Sequence, residues 1–234
     1  MSILGDRYQL AWLVVITSAV AAAAGFAFKS TNAGSAGLVA IYGGVTCALA
    51  IAGCIRAWRD GELGEWIRPK SGDFTRGFLA GAFLFGCAYV FTKFVIPADS
   101  PRVGWLARAY LQVGDPSTLR EKVAYVSVFI CVIAIAEEVL WRGLVTTLFA
   151  EMIGSRRAWI FAALLYSLVH LPTMWMLADP KAGLNPLVVF AALGCGLVWG
   201  ALTRWTGRLA PAIVSHALFD WFIVMTFRLW GPSV

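Results

Sequence analysis

The chain is a succession of apolar runs, separated by short polar turns, and each run is close to the length of a helix that crosses a bilayer. A crossing helix needs about 20 apolar residues, and in lipid only helices and closed barrels satisfy their own backbone groups. The runs are continuous rather than alternating, which selects helices over a barrel. Spans are expected roughly at 8–28, 34–57, 74–97, 123–150, 158–177, 184–203 and 209–230. The fold class that follows is all-α, a polytopic membrane helical bundle of about seven transmembrane helices. The whole of 1–234 reads as a single integral membrane domain, with no soluble domain, repeat or low-complexity tract.

Charge supports that class. Only 14% of the residues are charged, against about 25% in a soluble domain. A net charge of +6 on a soluble protein would suggest nucleic acid. Here the basic residues collect in connecting loops, where they set membrane orientation instead, and no nucleic-acid partner is expected. Arg7, Arg56, Arg59, Arg68, Lys70, Arg76, Arg156, Arg157, Arg204 and Arg208 gather on the side of the amino terminus. Lys29, Arg102, Arg108, Arg120, Lys122, Lys181 and Arg228 fall on the other. The excess of positive charge places the amino terminus in the cytoplasm and the carboxyl terminus outside, in a bacterial inner membrane. Arg7, the apolar Leu10–Ile16 and the Ala-rich 19–24 also mimic a signal peptide, but retention as a first span is expected.

Other features have plain structural readings. Val103 to Val113, in the long connection, sets Trp105, Leu106, Tyr110 and Leu111 beside Arg102 and Arg108, as in a helix lying on the membrane surface, and would bring the helix count to eight. Trp12, Trp58, Trp66, Trp159, Trp205 and Trp230 flank spans and fit interfacial anchoring. Gly77-x-x-x-Gly81 and Gly196-x-x-x-Gly200 allow helices to approach closely. Cys47, Cys54, Cys87, Cys131 and Cys195 lie in apolar runs without C-x-x-C spacing and read as packing residues.

What packing does not explain is Glu137-Glu138-Val-Leu-Trp-Arg142, deep in a span with no other charge between Val123 and Ala150. An ionisable group at the bilayer centre costs on the order of 2.5–3.5 kcal/mol. Glu138 and Arg142, four residues apart, can neutralise each other, while Glu137 lies about 100° around the helix and faces elsewhere. Both histidines of the chain, His170 and His216, also fall inside spans, and Asp220 shares a helical face with His216. Helical rise places Glu137, His170, His216 and Asp220 at comparable depth. One acid then holds the fold and the other is left for chemistry.

Glu137-Glu138-x-x-x-Arg142, then Tyr166-Ser-Leu-Val-His170-Leu-Pro, then His216-x-x-x-Asp220 resemble the three motifs of the CPBP superfamily. That superfamily includes the Rce1-type CAAX prenyl endopeptidases and the bacteriocin-processing and immunity (Abi) proteins. The resemblance covers 123–230, the expected catalytic core. Tyr166 stands where phenylalanine is common, and Asp220 where the CAAX endopeptidases carry asparagine. The resemblance implies an intramembrane endopeptidase with a glutamate-activated water: Glu137 as general base, His170 orienting the water, and His216 with Asp220 at the oxyanion. Glu138, Arg142 and Tyr166 would support the site. Ionised Asp220 has no donor, so it is expected to orient His216.

No cofactor is expected. Two histidines and a glutamate are also a zinc ligand set, so a zinc-dependent membrane hydrolase is the alternative enzyme, although the compact H-E-x-x-H spacing is missing. A non-catalytic reading is an Abi-type immunity or scaffold protein, or a proton-coupled carrier. The near absence of broken helices and of inverted repeats speaks against the carrier. The partners implied are the bilayer and a membrane-anchored or lipidated protein or peptide substrate: a prenylated protein, a peptide precursor or a C-terminal sorting anchor.

Overall fold

The structure, a computed structural model, describes the backbone of residues 3–226 and the side chains of residues 7–225. The described residues form helices and turns with no strand. In chain order these are α1 (Ile3–Ala27), α2 (Ala36–Arg59), α3 (Leu63–Ile67), α4 (Asp73–Val95), α5 (Val103–Val113), α6 (Pro116–Glu121) and α7 (Val123–Glu138). A π-helical segment, Val139–Val145, joins α7 to α8 (Thr146–Ile153). After it come α9 (Ser155–Leu168), α10 (Leu171–Met176), α11 (Leu187–Thr206) and α12 (Ala210–Thr226). The chain is an all-α integral membrane protein: six stretches among the described residues are long and apolar enough to cross a bilayer.

The expectation of seven long spans is modified at its last member. Ala210–Met225 is a shorter apolar helix, and 227–230, with Arg228 and Trp230, lie outside the described residues. The expectation of unbroken helices is corrected twice. The span from Val123 to Ile153 carries the π segment. The span from Ser155 to Met176 breaks at Val169–His170, between α9 and α10. Pro172 is the cause of the second break, because its ring excludes the carbonyl four residues earlier and it has no N–H to donate. The argument against a carrier from continuous helices therefore falls.

Van der Waals fit, more than hydrophobicity, holds helices together in lipid, so close approach matters. α12 lies along α4, where a Cβ at Gly77 would come within 2.7 Å of both the Pro211 carbonyl and Val214 Cβ, and one at Gly81 within 3.2 Å of the Ser215 carbonyl. α11 lies along α9 in the same way, Gly196 against Ala163 and Gly200 against Trp159. The largest fully buried side chains, Trp141 and Trp199 among them, fill the centre with Leu140, Leu144 and Leu148. Phe78, Phe83, Phe94, Tyr125 and Phe190 point outward, as lipid-facing residues do.

Two aromatics expected at the interface have other work. The Trp66 ring packs on Gly143, where a Cβ would come within 2.6 Å of it, and Trp159 covers Gly200. The amphipathic segment is α5 itself: Leu106 and Tyr110 are buried, and Gln112 Nε2 donates to the Ala27 carbonyl at 3.1 Å, satisfying one orphan acceptor at the end of α1. The five cysteines are free thiols.

Candidate active site

α2, α7, α9, α12 and the loop before α10 bring polar side chains to a common point inside the bundle, α12 contributing two. Glu137, 3% exposed at the last turn of α7, sits where the helix passes into its π segment. Its Oε1 accepts from the Tyr42 hydroxyl at 2.6 Å, and its Oε2 from the Tyr166 hydroxyl at 2.7 Å. Two O–H donors supply in the protein what water would supply outside, which is how a buried carboxylate is tolerated.

His170 sits at the break between α9 and α10, 6% exposed. Its Nδ1 lies 2.7 Å from the Tyr166 carbonyl, an acceptor only, so that nitrogen carries the hydrogen. Nε2 is then the lone-pair nitrogen of the neutral ring, and it lies 3.3 Å from the Tyr42 hydroxyl. Tyr42 thus stands between the acid and the imidazole. Tyr166 serves both through different atoms, its hydroxyl to Glu137 and its carbonyl to His170.

Glu138 is fully buried and points the other way. Its Oε1 accepts from Arg142 Nη1 at 2.9 Å and from His216 Nδ1 at 2.8 Å. His216 Nε2 lies 3.3 Å from Asp220 Oδ2 and 3.6 Å from Glu137 Oε2. With a carboxylate facing each nitrogen, the ring is set to donate on both sides. Trp199 stacks on it at 3.8 Å between ring centres and fixes its plane. Removing one partner from a buried ion pair costs about 3–5 kcal/mol, so Glu138 and Arg142 hold the helix while Glu138 also holds His216.

The structure therefore brings Glu137, His170, His216 and Asp220 into one cluster, with Glu138, Arg142 and Tyr166 around it. Two members were not among the sequence candidates. Tyr42 lies inside its apolar run, where a lone uncharged tyrosine reads as a packing residue. Trp199 lies close to the end of the expected 184–203 span and reads as one more interfacial tryptophan, so no sequence signal separated it from the others. Among the described residues no group of three or more His, Cys, Asp or Glu side chains is arranged to hold a metal ion.

These features define a membrane-embedded helical bundle with a buried glutamate–histidine centre. Residues 119–222 match the Rce1-like family, described as type II CAAX prenyl endopeptidases, which agrees with the CPBP resemblance of the three motifs. At the level of the family the similarity is to a CAAX-type intramembrane protease acting on membrane-associated substrates. Neither a curated protein nor a solved structure matches the chain.

Proposed function

We propose that this protein is a glutamate-dependent intramembrane endopeptidase. One observation carries the reading: Glu137 is oriented by two tyrosine hydroxyls, the open nitrogen of His170 lies 3.3 Å from one of them, and the donor face of His216 is within 3.6 Å of the acid. Each carboxylate oxygen keeps a further lone pair after accepting from a tyrosine, and a water can donate there. Glu137 takes a proton from that water as its oxygen bonds to the scissile carbonyl carbon, with His170 Nε2 accepting the water's second hydrogen bond. The negative charge that develops on the carbonyl oxygen needs a preorganised donor. His216 Nε2 supplies it, held in plane by Trp199 and anchored at Nδ1 by Glu138. When the C–N bond breaks, Glu137 returns the proton to the leaving amine. The products are a new carboxyl terminus and a new amino terminus.

The substrate is a membrane-anchored or lipidated chain, and the family match favours a prenylated C-terminal peptide. No step requires a metal or cofactor. The test is cleavage of a farnesylated C-terminal peptide by the purified protein and by Glu137→Gln. Glu137→Gln keeps the shape and removes the base, so cleavage should fall by about 10²–10⁴-fold, the usual worth of a general base, with insertion and thermal stability retained. A variant that is folded and still cleaves would show that the base is another group.

A further inference from the structure

Asp220 is the member of the active-site cluster that the fold leaves open. Its side chain is 34% exposed, against 3% for His216, 5% for Glu137 and 0% for Glu138. It stands on α12 one turn beyond His216, about 15 Å in from Ala210 at the helical rise. Its partners set it apart as well. Glu137 accepts from two tyrosine hydroxyls, and Glu138 from Arg142 and His216. Asp220 has a share in His216 Nε2 at 3.3 Å and no other hydrogen-bond or ion-pair partner among the described residues.

Charge does not balance in the cluster. The carboxylates of Glu137, Glu138 and Asp220 face the guanidinium of Arg142 and the imidazolium that His216 becomes when both its nitrogens donate. His170 adds no charge, since its Nδ1 carries the hydrogen and its Nε2 the lone pair. The two tyrosine hydroxyls stabilise Glu137 without neutralising it. A negative charge is left over, and it falls to Asp220, which has a share of one partner and the greatest exposure. An uncompensated charge inside a membrane bundle is costly until a group of opposite sign meets it. Lipid ammonium groups stay at the membrane surface, so the group that reaches this depth belongs to the substrate.

We infer that Asp220 is a specificity-determining residue, which receives the cationic side chain of a lysine or arginine next to the scissile bond. Asp220 Oδ2 and Glu137 Oε2 lie 3.3 and 3.6 Å from the same His216 nitrogen. A side chain that meets Asp220 therefore comes from a residue flanking the bond at Glu137. Its charge has a chemical consequence. It draws Asp220 away from Nε2, which frees that N–H for the carbonyl oxygen, and it offsets a negative charge beside the developing oxyanion. The inference rests on the endopeptidase reading for the bond that lies alongside, whereas the preference for positive charge is a property of binding.

The test uses the full chain purified in uncharged detergent and fluorescent farnesylated peptides. They are identical except at one position, moved along the peptide, with the cut located by mass spectrometry. That position carries lysine, glutamate, or norleucine, which has the lysine stem without the ammonium. Beside the cut, lysine should raise kcat/KM about 10- to 100-fold over norleucine, the worth of a hydrogen bond to a charged group, and glutamate should lower it. In Asp220→Asn the lysine-to-norleucine ratio should fall to about one, and Asp220→Glu should keep the preference. A merely structural loss would slow both peptides and leave the ratio where it was. Affinity of the same peptides for Glu137→Gln, read by fluorescence anisotropy, separates this inference from the protease reading. If the parent cleaves nothing, yet binding favours lysine and Asp220→Asn abolishes that preference, the subsite stands and the protease reading falls. If lysine and norleucine are cleaved and bound alike, or if Asp220→Asn keeps the preference, Asp220 does not select the substrate.

Discussion

Tyr42 has one proton and faces two acceptors, Glu137 at 2.6 Å and His170 at 3.3 Å. The shorter contact wins the proton, and His170 Nε2 keeps its lone pair for the water. Tyr42→Phe removes the donor to Glu137 while leaving the ring in place. A hydrogen bond to a charged group is worth about 1.5–3 kcal/mol, so cleavage should drop about 10- to 100-fold, with the folded fraction unchanged by size exclusion. No drop would remove Tyr42 from the catalytic unit. Asp220 makes a separate point. Its side chain is 34% exposed, against 5% for Glu137, and its contact is His216 Nε2 at 3.3 Å. Asparagine can accept the same hydrogen bond, so Asp220→Asn should keep most activity, and activity should survive chelation. A zinc enzyme would lose activity to the chelator and recover with added zinc, and Asp220→Asn would cost it about 10- to 100-fold. The charged members of the site were legible because a charge inside a span demands a reason. Tyr42 was not, because an uncharged tyrosine within an apolar run has an ordinary one in packing.

Among the helices, the pairing of α4 with α12 carries the site, since α12 brings His216 and Asp220. A methyl at Gly77 would collide with the Pro211 carbonyl and Val214 Cβ, both at 2.7 Å, whereas one at Gly86 on the same helix meets nothing within 4 Å. Overpacking costs about 1–3 kcal/mol. Gly77→Ala should therefore lower the unfolding midpoint by several degrees, at about 2–4 °C per kcal/mol for a chain of this size, and reduce cleavage with it. Gly86→Ala should do neither, and equal effects at both positions would refute the packing account. The glycine spacings and the bounds of α5 could be read from periodicity and composition. The π segment could not, since one extra residue in a turn leaves no mark in a run that is apolar all round. It nonetheless lies directly after the two glutamates. The break at His170 did have a signal, in Pro172, that uniform hydropathy concealed.

Side-chain and backbone contacts sort the connections to opposite ends of the bundle. Gln9 Nε2 donates to Glu151 at 2.8 Å, Arg56 pairs with Glu151, Leu209 N donates to the Trp66 carbonyl at 3.3 Å, and Arg208 binds Asp73. These join the amino-terminal end of α1 to the α2–α4, α8–α9 and α11–α12 connections. At the other end, Gly34 N donates to the Gln112 carbonyl at 3.0 Å and Asn185 Nδ2 to the Trp105 carbonyl at 2.9 Å. The first end holds Arg56, Arg59, Arg68, Lys70, Arg156, Arg157, Arg204 and Arg208, and the positive-inside rule predicts that it is the cytoplasmic one. α12 is the least secure crossing, since 17 residues span roughly 25 Å at the helical rise, against a hydrocarbon core of about 30 Å. In a background without the native cysteines, a membrane-impermeant thiol reagent on intact cells should label Asp99→Cys and spare Glu62→Cys, and a reporter fused after Val234 should lie outside. The reverse labelling would invert the orientation. The expected labelling with a cytoplasmic reporter would leave the orientation standing and show that α12 does not carry the chain across.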